Sequence, residues 1–420
     1  MVKTNLITLD NKLKVLFIPR TEISSLTIQL KGRAGSNFEL ENEIGAAHML
    51  EHLVLQGSHK YPSPRLLQSL VTGQGGIYFG VTSRDDVRFG VKILKEDLEY
   101  AFEFLAEVFY NPLLQERTFL LQKIIIEHEI LNFKVNPKRL IARVSNKILF
   151  PKSRMEKFNT GDSSDVEKLS YENILKFYKR TYFPGNFVVV VCGNAQLKDV
   201  KKLAKKYFEN GEKPKKALSA QKFKQEPKLI VQSVTNESYK QAYVKIDWYG
   251  FRSKDSKKYP ATYFRKIIDT YLKFIIKESL GLCYNINTFS FSAEKHGVFS
   301  IFLSTDTKNL ETVFRNIKNI LKNIHKLIDE AKISQLKKAI VAAHVYSLEK
   351  PSQIAGYYSG ILLHGNSDQT YDNELKQYKS VKKEEIHKVA DKLLGTHPKI
   401  TVLSKNLKEK DIKEFWVTNA

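Results

Sequence analysis

Cysteine is scarce in this chain. Two residues in 420, Cys192 and Cys283, each lie inside an apolar stretch, which excludes a disulfide framework and a thiolate metal cluster and leads us to expect a reducing, cytoplasmic setting. Long apolar runs are missing as well. The strongest, Phe187 to Cys192, has the length of a strand and falls far short of the roughly 18 residues a membrane-spanning helix needs. Residues 1–12 interleave Lys3, Asn5, Asp10 and Asn11 with apolar side chains, so no signal-peptide core is expected. Acidic residues are outnumbered, 45 against 68 basic ones, for a formal net charge of +23. A surplus of that size raises the question of a nucleic-acid partner. The basic residues are spread along the whole chain, however, with no Arg-rich tail and no aromatic-basic motif, and read as a solvated Lys-rich surface, so no nucleic acid is expected.

What is present is core material. An apolar content of 42%, with 25 Phe and 20 Tyr, fits a globular chain, and 420 residues exceed the usual size of one domain. Leu13, Val15 and Phe17 alternate with Lys12, Lys14 and Leu16, and Leu26, Ile28 and Leu30 alternate with Thr27, Gln29 and Lys31, the period of half-buried strands. Val87 to Ile93 repeats that pattern, and Phe187 to Cys192 reads as a central strand. Helical patterns cover about 45–56, 95–109 and 116–133. A polar stretch with Gly211, Pro214 and Pro227 predicts a linker at 211–227 between a domain at 1–210 and another at 228–420.

Beyond the linker the order of elements starts again. Lys123 to Ile130 and Pro137 line up with Lys337 to His344 and Pro351 at a constant offset of 214. The expected fold class is α/β (α+β): two tandem homologous domains, each a mainly antiparallel or mixed β-sheet covered by helices on one face.

The sharpest chemical signal is His48-Met49-Leu50-Glu51-His52. On a helix, residues four apart share a face, so both imidazoles can reach one metal ion, with Glu51 beside them as a general base. The competing reading is a chance pattern in a chain with ten histidines. Two histidines cannot complete a catalytic zinc site, which takes three protein ligands.

The flanking residues Ala34-Gly35-Ser36, Glu39, Gly45-Ala46-Ala47, Gly57, Tyr61 and Pro62, together with the motif, resemble the N-terminal signature of the M16 (pitrilysin-type, inverzincin) zinc metallopeptidases. The resemblance implies a third ligand, a glutamate about 75 residues downstream on another helix. Glu129 matches that position by spacing and context, with Glu127 and His128 as competitors within the same turn. Gln122 stands two turns earlier, where the family often has an acidic residue. Gly75-Gly76 through Thr82-Ser83-Arg84-Asp85 resembles the family's active-site edge strand, which makes Phe79, Gly80 and Thr82 candidate substrate-binding residues; Phe79 replaces the usual Asn. Lys277 to Tyr284 resembles the segment in which an Arg and a Tyr contact bound peptide. Tyr284 fits, Lys277 departs from the Arg, and the bland alternative for Tyr284 is a core aromatic at a strand start.

The resemblance therefore implies a zinc-dependent endopeptidase acting on extended peptides in a clamshell chamber. Zn²⁺ would be held by His48, His52 and Glu129, with metal-bound water as nucleophile, Glu51 as general base, and Tyr284 and Lys277 steadying substrate. The peptide would add to the edge of the first sheet. At offset 214, Glu129 corresponds to Ala343, so the second half is expected to contact substrate without a catalytic metal. Pairing as a homodimer, or as a heterodimer with an M16-like partner, is also implied. The alternative function is a non-catalytic M16-like subunit of a hetero-oligomeric assembly or processing complex.

Overall fold

Phe187–Gly193, the sequence FVVVVCG, is buried at every residue in the computed structural model, which describes residues 3–209, 217–219, 223–364 and 370–417. An unbroken apolar strand of this kind needs cover on both faces of its sheet, and the fold supplies it. In the first sheet the strands are β1 (Asn5–Thr8), β2 (Lys14–Pro19), β3 (Ser25–Gly32), β4 (Ile77–Thr82), β5 (Val87–Leu94) and β6 (Phe187–Gly193), in spatial order β1-β2-β6-β3-β5-β4. All neighbours run antiparallel except β2 and β6. Register places Leu30 opposite Phe89 on one side and Val189 on the other.

The second sheet comprises β7 (Ile230–Thr235), β8 (Ala242–Tyr249), β9 (Cys283–Ser292), β10 (Gly297–Thr305) and β11 (Lys399–Ser404), in order β7-β11-β8-β10-β9, with only the β7–β11 pair parallel. The chain thus folds as two mixed sheets with helical layers, each with its own core.

The first compact unit consists of Met1–Ile130, Phe158–Gln221 and Ala343–Asn373. On one face of its sheet, Val15, Phe17, Ile28, Phe89 and Val191 pack with Met49, Leu50, Phe102, Phe109 and Phe177 from the helical layer. On the other face, Leu16, Ile18, Val190 and Cys192 meet Ile354, Ala355 and Tyr358 of the helix Pro351–His364. This second layer corrects the expectation of half-buried strands: Leu16, Thr27, Gln29 and Lys31 are buried rather than solvated. The polar groups of Gln29 and Lys31 are paired. Gln29 Nε2 donates to the Ser352 carbonyl (3.3 Å), Ser359 Oγ donates to Gln29 Oε1 (3.4 Å), and Lys31 pairs with Asp86 at 3.2 Å. Burial of the same kind raises the Cys192 thiol to about 12, so it is inert.

The second unit, Leu131–Lys157, Lys222–Ala342 and Glu374–Ala420, repeats the scheme. Val244, Ile246, Trp248, Phe299 and Ile301 pack against Phe264, Ile268, Phe314 and Ile317 on one face. On the other, Ile141 of the helix Pro137–Leu149 packs on Phe302 and Leu403. The two second-layer helices start 214 residues apart, as do Glu116–Val135 and Glu330–Tyr346. Ser145 and Ser359 occupy equivalent places, and Ser145 Oγ donates to Asp247 of β8 as Ser359 does to Gln29 of β3. Each compact unit therefore includes a segment from the other half of the sequence, which a linear division at 211–227 leaves out. Of that expected linker, residues 211–216 and 220–222 lie outside the described residues.

Candidate metal centre

The motif helix, Ala46–Val54, is set by its first turn. Gly45 adopts φ +93°, a conformation that favours glycine. The buried Glu39 carboxylate accepts hydrogen bonds from the Gly45 N–H (3.1 Å) and Ala47 N–H (2.8 Å), placing negative charge where the helix dipole is positive. Met49, Leu50 and Leu53 lock the opposite face into the core. His48 and His52, four residues apart, are left on one side with ring centroids 4.7 Å apart.

The ligand helix, Glu116–Val135, is anchored by the buried Phe119, Ile126 and Ile130. Gln122 and Glu129, two turns apart, then flank the histidines. Glu129 Oε2 lies 3.1 Å from His48 Nε2 and its Oε1 lies 3.8 Å from His52 Nε2. His52 Nδ1 lies 3.0 Å from Gln122 Oε1; it donates there, which leaves Nε2 free as a ligand atom. Among the described residues, His48, His52 and Glu129 form the only group of three or more His, Cys, Asp or Glu whose candidate ligand atoms all lie within 4.8 Å of one another. A tetrahedral ion about 2.1 Å from each donor sets donors about 3.4 Å apart, and the separations of 3.1 and 3.8 Å bracket that value. Two imidazoles and a carboxylate fit Zn²⁺. Glu127 and His128 are outside this group.

Electrostatics favour a cation here. Burial disfavours protonated His48, yet hydrogen bonds to Glu129 and Glu51 and the charges of both carboxylates outweigh it and raise its pKa to about 9. Glu51 is itself buried, which opposes ionisation, but its contact with His48, the Thr82 hydrogen bond and the nearby His52 hold its pKa below the ordinary carboxylate value.

Edge strand β4 builds the wall beside Glu51. Thr82 Oγ1 donates to Glu51 Oε2 at 2.8 Å, and a Cβ at Gly80 would lie 2.7 Å from Glu51 Oε1. Alternate strand residues face opposite ways, so Phe79 points to the other face of the sheet. There its ring fills the space over Gly90 on β5, with the Arg88 guanidinium 6.0 Å from its centre. One further residue, Asn159, escaped the sequence reading, and Ser36 entered it only as part of the family signature. Asn159 Nδ2 donates to the Thr82 carbonyl (2.8 Å), and Ser36 Oγ donates to Asn159 Oδ1 (2.9 Å). No local pattern marks a contact across 77 residues; Ser36 alone stood in a recognisable motif.

Lys277 and Tyr284 lie in the second unit. Lys277 sits in a π-helical turn, Lys273–Ser279, with Nζ 5.9 Å from the centre of the Tyr284 ring. Tyr284 is 88% exposed at the start of β9, so it is not a core aromatic. The second unit echoes the first: Thr288 Oγ1 of edge strand β9 lies 3.0 Å from Asp269 Oδ1 on Lys258–Leu272, as Thr82 reaches Glu51. Beside it Lys273 pairs with Asp269 at 2.7 Å, and that helix carries no histidine.

Comparisons with known proteins converge. Residues 14–156 match the model "Insulinase (Peptidase family M16)" and residues 168–340 match "Peptidase M16 inactive domain". An "Uncharacterized zinc protease" of Rickettsia bellii is 23% identical over 80% of this chain and 82% of its own length. A solved protease from Helicobacter pylori superposes with TM-score 0.88 at 20% identity, covering 96% of this chain and all of the other. A solved "peptidase M16 inactive domain" from Pseudomonas fluorescens gives 0.87 at 17%, covering 97% and 100%. Two successive M16 models spanning most of the sequence, on a fold shared with solved M16 proteins, make this chain a member of peptidase family M16.

Proposed function

We propose that the chain is a zinc-dependent endopeptidase that hydrolyses extended peptides, with His48, His52 and Glu129 holding the metal. Bound Zn²⁺ supplies Lewis acidity, polarising a peptide carbonyl and making water a better nucleophile near neutral pH. Glu51 takes the proton from the attacking water and passes it to the leaving amine. The observation that carries this reading is the state of Glu51: a buried carboxylate, kept ionised and fixed by the Thr82 hydroxyl, beside the three-donor group. Strand β4 pairs only with β5 among the described strands, so its free edge is the place for an extended substrate, added through main-chain hydrogen bonds. Gly80 and Thr82 shape that wall, and Phe79 contributes from the far face. Tyr284, exposed, and Lys277 beside it are the substrate contacts assigned to the second unit.

Pairing with a second copy or an M16-like partner belongs to the same reading. The ligand helix turns Leu120, Leu121, Ile124 and Ile125 outward, an exposed apolar strip of the kind a partner covers. A cytoplasmic setting is supported by two buried, unpaired cysteines, and no described helix is long and apolar enough to cross a membrane. The second reading, a non-catalytic subunit, is favoured by the match of residues 168–340 to an "inactive domain". Turnover of a mixed peptide pool, followed by mass spectrometry alongside metal analysis, separates the two. Cleavage that requires Glu51 supports the endopeptidase, and bound metal without cleavage supports the subunit.

A further inference from the structure

The free edge of β4 is not open along its whole length. At the turn into β5, the Ser83 N–H donates to the Asp86 carbonyl at 2.7 Å, so Ser83 directs its N–H into the ladder. Residues of an antiparallel pair alternate between bonded and non-bonded positions. Ile77, Phe79 and Val81 therefore bond to β5, while Tyr78, Gly80 and Thr82 turn their N–H and C=O groups to the free edge. An added peptide has those three residues to bond.

Carbonyls at one end of this row are already taken. Asn159 Nδ2 donates to the Thr82 carbonyl at 2.8 Å. Just beyond, the Ser36 N–H donates to the Ser83 carbonyl at 3.1 Å and the Asn37 N–H to the Arg84 carbonyl at 2.7 Å. A backbone carbonyl only accepts, so the Asn159 atom facing Thr82 is the nitrogen, and Oδ1 is left to the buried Ser36 hydroxyl at 2.9 Å. The Asn159 backbone is held as well. The Gly161 N–H closes a turn onto the Phe158 carbonyl at 3.0 Å, and the Thr160 carbonyl lies only 2.9 Å from where a Cβ at Gly45 would stand, against the start of the motif helix. Among the described residues, Gly80 carries the last carbonyl in this direction that no other group occupies.

We propose that Asn159 is a specificity-determining end-stop for substrate: it closes the edge at Thr82, so that a peptide lying on β4 bonds fully to Tyr78 and Gly80 and then ends or leaves the strand. A peptide residue opposite Thr82 can accept from the Thr82 N–H, but its own N–H meets the Asn159 amide, donor against donor, and goes unpaired. Gly80 and Thr82 both flank Glu51, so the stop stands beside the reacting bond. The inference rests on the substrate placement proposed above. It makes the protein selective for how far a peptide extends past that bond on one side, whatever its side chains.

The test uses the full-length protein and one synthetic peptide lengthened residue by residue at either end. Affinity is read in the Glu51→Gln background, which holds peptide without cutting it, and products are read with Glu51 in place. With Asn159 present, lengthening at one end is expected to stop adding affinity once the peptide reaches Thr82. Asn159→Ala should let that end gain a further factor of about 3 to 10 and leave the other end unchanged. Ser36→Ala, which loosens the amide without removing it, should give a smaller gain at the same end, and it carries the test if Asn159→Ala does not fold. Equal length dependence with and without Asn159, or no peptide binding at all, overturns the end-stop. One-sided length dependence without cleavage keeps the end-stop and overturns the endopeptidase reading, whereas cleavage with a length dependence that ignores Asn159 does the reverse.

Discussion

The Thr82 hydroxyl donates a 2.8 Å hydrogen bond to the Glu51 carboxylate, tying the edge strand to the residue assigned as general base. A hydrogen bond to a charged group is worth about 1.5–3 kcal/mol. If Thr82 fixes the orientation of Glu51, Thr82→Val lowers kcat roughly 10- to 100-fold. Steady-state kinetics should show KM little changed, metal content intact, and most of the activity restored by Thr82→Ser.

Gly80 has no room for a side chain, since a Cβ there would lie 2.7 Å from Glu51 Oε1. Gly80→Ala displaces the carboxylate, and overpacking of this kind costs about 1–3 kcal/mol. The expected outcome is a kcat lower by about tenfold or more with zinc stoichiometry unchanged, read by parallel kinetics and metal analysis.

His48 carries a pKa near 9 in the metal-free protein, above its ordinary 6.5. The stabilisation this provides is complete below about pH 6.5 and is lost as the pH rises through about 9. A ligating histidine must be neutral. Zn²⁺ uptake at pH 7.5 should therefore release about one proton, and the release should fade above pH 9. Calorimetry in buffers of different ionisation enthalpy measures it directly.

Glu39 caps the motif helix through two backbone N–H groups from a buried position. Replacing it with Gln leaves one carbonyl oxygen to accept and turns an amide N–H₂ toward the other donor, and leaving such a group unpaired costs about 1–3 kcal/mol. Urea unfolding of Glu39→Gln should show a loss of that size.

The motif itself was legible in the sequence because helix geometry alone brings His48, Glu51 and His52 together. The family resemblance supplied Glu129, since spacing narrows the choice only to one turn. Burial of Phe119, Ile126 and Ile130 is what turns Glu129 rather than His128 toward the histidines. The repeat was legible through its offset of 214, but the meaning of Pro137 and Pro351 was not. Both open helices that cover the second face of a sheet, which is why Gln29 and Lys31 look like solvent positions and are buried. Strand alternation was readable around Phe79, yet which face met the motif helix depended on how that helix packed. The Ser36–Asn159–Thr82 chain joins residues far apart in sequence and has no local signature.

The most direct test compares Glu51→Gln with Glu129→Ala in the same preparation, reading bound zinc per chain and cleavage of a peptide pool. The endopeptidase reading predicts that Glu51→Gln keeps about one Zn²⁺ and loses cleavage, while Glu129→Ala loses both. Cleavage that survives Glu51→Gln, or bound zinc that survives Glu129→Ala, would contradict it.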